Sequence, residues 1–380
     1  MNPTIDRLSP FLVMEVLEEA QRLERDGIDV VHLEIGEPDF PVPPCVSAAA
    51  KGAYDQARTH YTHSLGDPEL REAIAAFYRA EYGVSVDPDC ILVTSGSSPA
   101  ILLTLLTLCA PGDEVVLTDP GYPCYRNFAL TCQAVPRMVR VSAEERFQLD
   151  PKAVARVANS RTRAVFVNSP MNPAGLLAED RVYEGLSELG IPIVSDEIYH
   201  GLVYKGRARC VLEFTDNAFV LNGFSKRFAM TGLRLGYVIA PKKYVRAMQI
   251  LQQNLFICAP SIAQRAGIAA LREADPEVRR MRGIYDGRRR YLVERVKALG
   301  FGLTAEPEGA FYVFADARRW TDDVYRFAFD LLREAHVGVT PGVDFGAAGE
   351  GFVRFSYATD LARIREGCNR LEAYLRNLRR

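Results

Sequence analysis

The chain has no long hydrophobic run, no excess of charge of either sign and no cysteine pair at metal-binding spacing, and each absence removes a class of function. The longest strongly apolar stretch, Ala100 to Ala110, contains two threonines. It falls short of the ~20 residues that span a bilayer and reads as a buried helix, so no membrane partner is expected. Lysine plus arginine number 46 against 48 aspartate plus glutamate, a formal charge of −2. No bulk field therefore draws the chain to nucleic acid. The eight cysteines are scattered, with no CxxC pair and no histidine at zinc spacing, which predicts reduced core residues and no metal site. His60 and His63 lie three apart without a third ligand motif and read as loop histidines. Neither GxGxxG nor GxxxxGKS/T occurs, so dinucleotide and nucleoside-triphosphate cradles lose their best support. The opening MNPTIDRLSPFLVMEVLEEA has no basic start followed by an apolar run, and a cytoplasmic location is expected.

What is present is an ordinary globular composition: 380 residues, 48% hydrophobic and 25% charged. At about 150 residues per domain this length predicts two to three domains. Ser9-Pro10 looks like an N-cap followed by proline at the first helical position, opening an amphipathic helix that runs through Arg25 before Gly27. Asp67-Pro68 repeats the signal for a helix that stops at Gly83. From Cys90, short apolar runs alternate with helical stretches: CILVTS, EVVLTDP, PRMVRVS, RAVFVNSP, PIVSDEIY, AFVLNGFS and LGYVIAP. That rhythm predicts an α/β fold whose largely parallel sheet is sandwiched by helices. After about Met281 an Arg- and Leu-rich helix, the runs FYVFAD, VGVTPG and FVRFSYA, and a terminal helix predict a second, α+β domain, with the N-terminal arm packed against it.

Ligands of such sheets sit beyond the carboxyl ends of the strands, so the polar residues that follow the apolar runs are the candidates. Ser95 to Ser98 joins a strand to a helix expected to begin near Pro99, where small residues expose N–H groups to an anion; ordinary helix capping needs the same residues. Asp196 follows PIVS and could be a metal ligand, a salt-bridge partner or the counter-ion of a buried cation. Asn172 lies in NSPMNPAG, a turn with two X-Pro bonds that could be cis. Lys226 ends a strand in GFSK, with Arg234 eight residues on. A strand-end lysine near a second cation loses its proton more easily and can form a Schiff base.

The segment Gly223 to Gly236, GFSKRFAMTGLRLG, resembles the lysine signature of class I/II pyridoxal-phosphate-dependent aminotransferases. NSPMNPAG, SDEIYHGLVY and FVRFSYAT resemble the family's other signatures, in order, over about Ile35 to Thr359. The resemblance implies fold type I, with a seven-stranded, mainly parallel sheet in a large domain at 46–280 and a smaller α+β domain from 1–45 and 281–380. It implies an enzyme that moves an amino group between an L-amino acid and a 2-oxo acid through pyridoxamine phosphate. Lys226 would carry pyridoxal 5'-phosphate and shuttle the Cα proton, and Asp196 would keep the pyridine nitrogen protonated. Asn172 and Tyr199 would bond the ring oxygen, and Tyr122 would stack on the ring. Gly96, Ser97, Ser98, Ser225 and Arg234 would surround the cofactor, mostly at its phosphate, joined by Tyr61 from the neighbouring subunit of a homodimer. Arg354 would grip the substrate carboxylate, assisted by Asn172 and by the N–H of Gly36. Two departures stand out. Gly223 occupies a position where some relatives have a phosphate-binding serine, and no residue matches the second arginine some use for a distal carboxylate. The same residues would also serve a C–S β-lyase, and a non-catalytic pyridoxal-phosphate-binding regulator is a third reading.

Overall fold

The computed structural model describes residues 4–378. A helix, Leu12–Arg25, and a two-residue strand, β1 (Val31–His32), come first, followed by helices Pro44–Asp55 and Pro68–Tyr82. The second of these has the local chemistry the sequence announces. Asp67 accepts from the Glu69 amide at 3.0 Å, Pro68 opens the first turn, and Gly83 closes the helix at φ 73°. The seven apolar runs all form strands: β2 (Ile91–Thr94), β3 (Glu114–Asp119), β4 (Val135–Arg140), β5 (Thr162–Asn168), β6 (Ile193–Asp196), β7 (Ala218–Gly223) and β8 (Gly236–Ile239).

They make one sheet in the order β2-β8-β7-β6-β5-β3-β4, parallel except for β8, which runs antiparallel to both neighbours. Alternate residues of these strands enter different cores. Val93, Val116, Val165, Ile193 and Val220 join one cluster, while Leu92, Val115, Phe166, Val194 and Phe219 join another. Both faces are thus covered, and this is why the strands read as continuous apolar runs rather than alternating ones. The fold is the expected α/β sandwich.

Beyond helices Ser261–Glu273 and Asp275–Ala298 come β9 (Tyr312–Asp316), β10 (Val337–Gly338), β11 (Thr340–Pro341) and β12 (Phe352–Ser356). The last, β12, lies antiparallel between β11 and β9. The early β1 pairs in parallel with β10, which ties the amino end of the chain to this later layer.

Two helix starts differ from expectation. The first helix begins at Leu12, not after Ser9, and carries no side-chain cap of its own. Its exposed amides are met instead by Asp344, which accepts from Leu12 N at 2.8 Å and Val13 N at 3.4 Å. Ser9 is held on Asn127, its carbonyl accepting from Nδ2 at 2.9 Å. A carboxylate from 332 residues away does the capping, which local sequence cannot disclose. The helix expected near Pro99 starts at Ser97, because Gly96 at φ 92° turns the chain two residues sooner.

Candidate active site

The carboxyl ends of the parallel strands converge on a cavity of about 250 Å³. Asp196 is the last residue of β6, Asn168 the last of β5, and Lys226 follows β7 by three residues. Arg354 comes from the middle of β12, opposite Thr340 on one side and Phe314 on the other. Nine sequence-predicted residues line the cavity: Gly36, Ser97, Ser98, Tyr122, Asn172, Asp196, Tyr199, Lys226 and Arg354.

Lys226 donates from Nζ to the Gly36 carbonyl at 2.7 Å. Its amine is lowered to about 8, chiefly by burial, with Arg234 and Arg354 adding repulsion while Glu37 and Asp196 oppose the shift. Burial outweighs the neighbouring cation that the sequence emphasised. Asp196 is 5% exposed. Its Oδ2 accepts from the Tyr125 hydroxyl at 2.5 Å and its Oδ1 from the Ile198 amide at 3.2 Å. Burial still pushes its carboxyl up to about 6, and a cation placed against it would favour the ionised form further.

Arg354 is 2% exposed, and both of its terminal guanidinium nitrogens are hydrogen-bonded. It donates to Asn172 Oδ1 at 2.9 Å, to the Glu34 carbonyl at 2.6 Å and to Thr340 Oγ1 at 3.1 Å, and its guanidinium lies 4.2 Å from the Tyr312 ring centroid. Its Nε is buried without a partner. Because Asn172 Oδ1 is occupied by arginine, its amide NH2 is the end left to donate. Tyr199 meets the Tyr312 hydroxyl at 2.9 Å, and burial holds its phenol well above the usual range, so it remains a donor.

The opposite end of the cavity is the first turn of helix Ser97–Leu108, with both serines facing in. A Cβ on Gly96 would run into the Arg234 guanidinium. Arg234 does not line the cavity itself; it stands against this turn and donates to the Thr231 carbonyl at 3.0 Å. Helix-end amides, two hydroxyls and a nearby guanidinium make an anion cradle. Gly36 is a second tight approach, since a Cβ there would overlap the Tyr312 hydroxyl. Gly223 also has a local cause: a Cβ would sit 3.0 Å from the Leu235 carbonyl and 3.1 Å from the Gly236 Cα, so the missing serine has little room.

Not every expected residue reaches the cavity. Ser225 is buried but does not line it, and Tyr61 is 79% exposed and outside it. Conversely, Tyr125, Asn168 and Tyr312 line it and went unassigned from sequence. Tyr125 and Asn168 did lie in the polar segments that follow apolar runs, Asp119 to Tyr125 and Asn168 to Asn172, where such sheets bind ligands; Tyr312 had no such signal. The assembled set fits a ligand with an anionic group at one end, a basic ring nitrogen at the other and an amine-reactive carbonyl between them.

Residues 28–371 match the family described as aminotransferase class I and II, and the chain belongs to that family. It is accordingly an aminotransferase, with the fold of its relatives. It is 41% identical over 371 residues to a (5-formylfuran-3-yl)methyl phosphate transaminase of Methanocaldococcus jannaschii, covering 96% of both chains. It is 37% identical to a valine–pyruvate aminotransferase of Mycobacterium tuberculosis over 96% of both. The solved aspartate aminotransferase of Thermus thermophilus with maleate superimposes with a TM-score of 0.94 at 37% identity, covering 98% of this chain and 99% of that one. The substrates in these names differ, so family membership alone does not choose among them.

Proposed function

We propose that the chain binds pyridoxal 5'-phosphate at Lys226 and moves an amino group between an L-amino acid and a 2-oxo acid in two half-reactions. The observation that carries this reading is the partly buried Lys226 amine, lowered to about 8, in one cavity with the Asp196 carboxylate and the Arg354 guanidinium. When bound, the cofactor supplies a carbonyl that condenses with amines and a protonated ring that accepts the electron pair left at the substrate's Cα. Asp196 holds the ring nitrogen protonated. Tyr199 and the Asn172 amide donate to the ring oxygen, and Tyr122 covers a ring face. Ser97, Ser98, the Gly96 turn and Arg234 hold the phosphate, with Ser225 behind Lys226. Arg354 takes the substrate α-carboxylate, with Asn172 and the loop at Gly36 beside it. The free amine of Lys226 would be the base that removes the Cα proton, and its lowered pKa favours the neutral form near neutral pH.

The reading includes a homodimer in which Tyr61, exposed on one chain, serves the neighbouring site. It also includes a large domain at 46–280, with 1–45 and 281–380 forming the smaller one. A cytoplasmic location belongs to it as well, supported by eight free cysteines. Titration of cofactor-loaded protein with single amino acids tests it. Conversion of the bound cofactor's absorbance to the amine form is expected for at least one of them, and a spectrum that no amino acid perturbs would overturn it.

A further inference from the structure

The helix Leu12–Arg25 has two apolar faces, and only one is used by a core. Val16, Ala20 and Leu23 pack with Val30, Phe329 and Leu332. Val13, Met14 and Leu17, preceded by Phe11, instead line the cavity that holds Lys226 and Arg354. Met14 is 45% exposed, so its side chain is accessible from the cavity it lines. Phe11 meets Tyr122 edge-on, with centroids 6.1 Å apart. Ile35 and Ile101 face the same space.

The only cations among the described lining residues are Lys226 and Arg354, and both are committed to other groups in the proposed reaction. The apolar face is also held in place. Asp344 caps the helix at Leu12 and Val13, and Asn127 and Arg126 hold Ser9 just ahead of it.

We infer that this helix forms the side-chain half of the substrate pocket, so that the enzyme takes amino acids with apolar side chains of about leucine to phenylalanine size in preference to aspartate and glutamate. The inference rests on the aminotransferase reading and deepens it. Methylenes of a fitting side chain gain contact with Phe11, Met14 and Leu17. A distal carboxylate placed there loses water, and the described lining of this chain offers it no cation beyond the two already committed. Hydrophobic pockets discriminate by about 10 to 200-fold for one missing methylene, and alanine lacks more than one of leucine's side-chain carbons, so the difference between them should be at least of that scale.

The test compares kcat/KM for leucine, methionine, phenylalanine, alanine, aspartate and glutamate on the loaded enzyme, alongside calorimetric binding of two unreactive acids, 4-methylpentanoate and butanedioate. The apolar donors should exceed both dicarboxylic ones by about 100-fold, and 4-methylpentanoate should bind more tightly than butanedioate. Phe11→Ala and Met14→Ala should each lower kcat/KM for leucine about 10-fold while alanine changes by less than about 3-fold; general disruption would lower both alike. A preference for aspartate or glutamate, tighter butanedioate binding, or equal losses for leucine and alanine would overturn the pocket assignment. Failure of every amino acid to react would instead overturn the aminotransferase reading, and the two failures are distinct.

Discussion

At the residue scale the proposed chemistry depends on two groups, the partly buried Lys226 and the buried Asp196, moved toward neutrality from opposite sides. Lys226 is lowered to about 8 by burial, against about 10.4 for an ordinary lysine. Only the neutral amine attacks a carbonyl, so the rate at which apoprotein captures pyridoxal phosphate should rise with pH and level off with a midpoint near 8. Stopped-flow absorbance at a series of pH values measures this, and a midpoint at the ordinary lysine value would contradict the burial argument. Borohydride reduction followed by peptide mapping should mark Lys226, and Lys226→Ala should carry no reducible adduct. Asp196 is raised to about 6 because it is buried with one phenol and one amide for company. In the proposed reaction Asp196 would keep the ring protonated, so with Asp196→Asn exchange of the substrate Cα hydrogen for deuterium should slow by about 10²–10³-fold, the scale of lost electrostatic preorganisation. Exchange at the wild-type rate would remove Asp196 from that role. Both residues, whose proposed roles came from the family resemblance, were legible as candidates because each follows an apolar run at a strand end. Their supports were not. Tyr125 reaches Asp196 from 71 residues away and Tyr312 reaches Tyr199 from 113, and no local pattern encodes such contacts.

At the scale of elements, the site is built where strands stop and helices start. The seven sheet strands were legible because burial on both faces demands uninterrupted apolar residues. The start of the first helix was misread because its cap is Asp344, a partner supplied by the fold rather than by the preceding residues. The turn from β2 into helix Ser97–Leu108 is the least tolerant junction: Gly96 combines φ 92° with a Cβ position already taken by Arg234. Gly96→Ala should therefore weaken cofactor binding by at least about 10-fold, since the strained backbone costs roughly 1 kcal/mol and the guanidinium must shift as well. Equilibrium dialysis of pyridoxal phosphate, with far-ultraviolet circular dichroism to verify an intact fold, measures the effect. Unaltered affinity would mean that the phosphate is held elsewhere.

At the scale of the whole molecule, the proposed function of a near-neutral chain of 380 residues rests on local charge, one amine, one carboxylate and two guanidiniums that bulk composition conceals. The β1–β10 pair and the Asp344 cap tie the amino-terminal segment to the later layer, so one cavity is lined by residues from Phe11 to Arg354. Tyr61, exposed on the single chain, makes sense as a cofactor contact only if a second copy covers it. Sedimentation equilibrium should give twice the 42.3 kDa chain mass, with Tyr61→Phe still dimeric but weaker for the cofactor; a monomer would remove Tyr61 from the site. The most direct test of the central claim follows the nitrogen. Loaded enzyme is given leucine labelled with ¹⁵N at its amino group, freed of excess donor, and then given an unlabelled 2-oxo acid. Transamination predicts the label in the amino acid formed from that oxo acid, whereas its appearance as free ammonia would contradict the account.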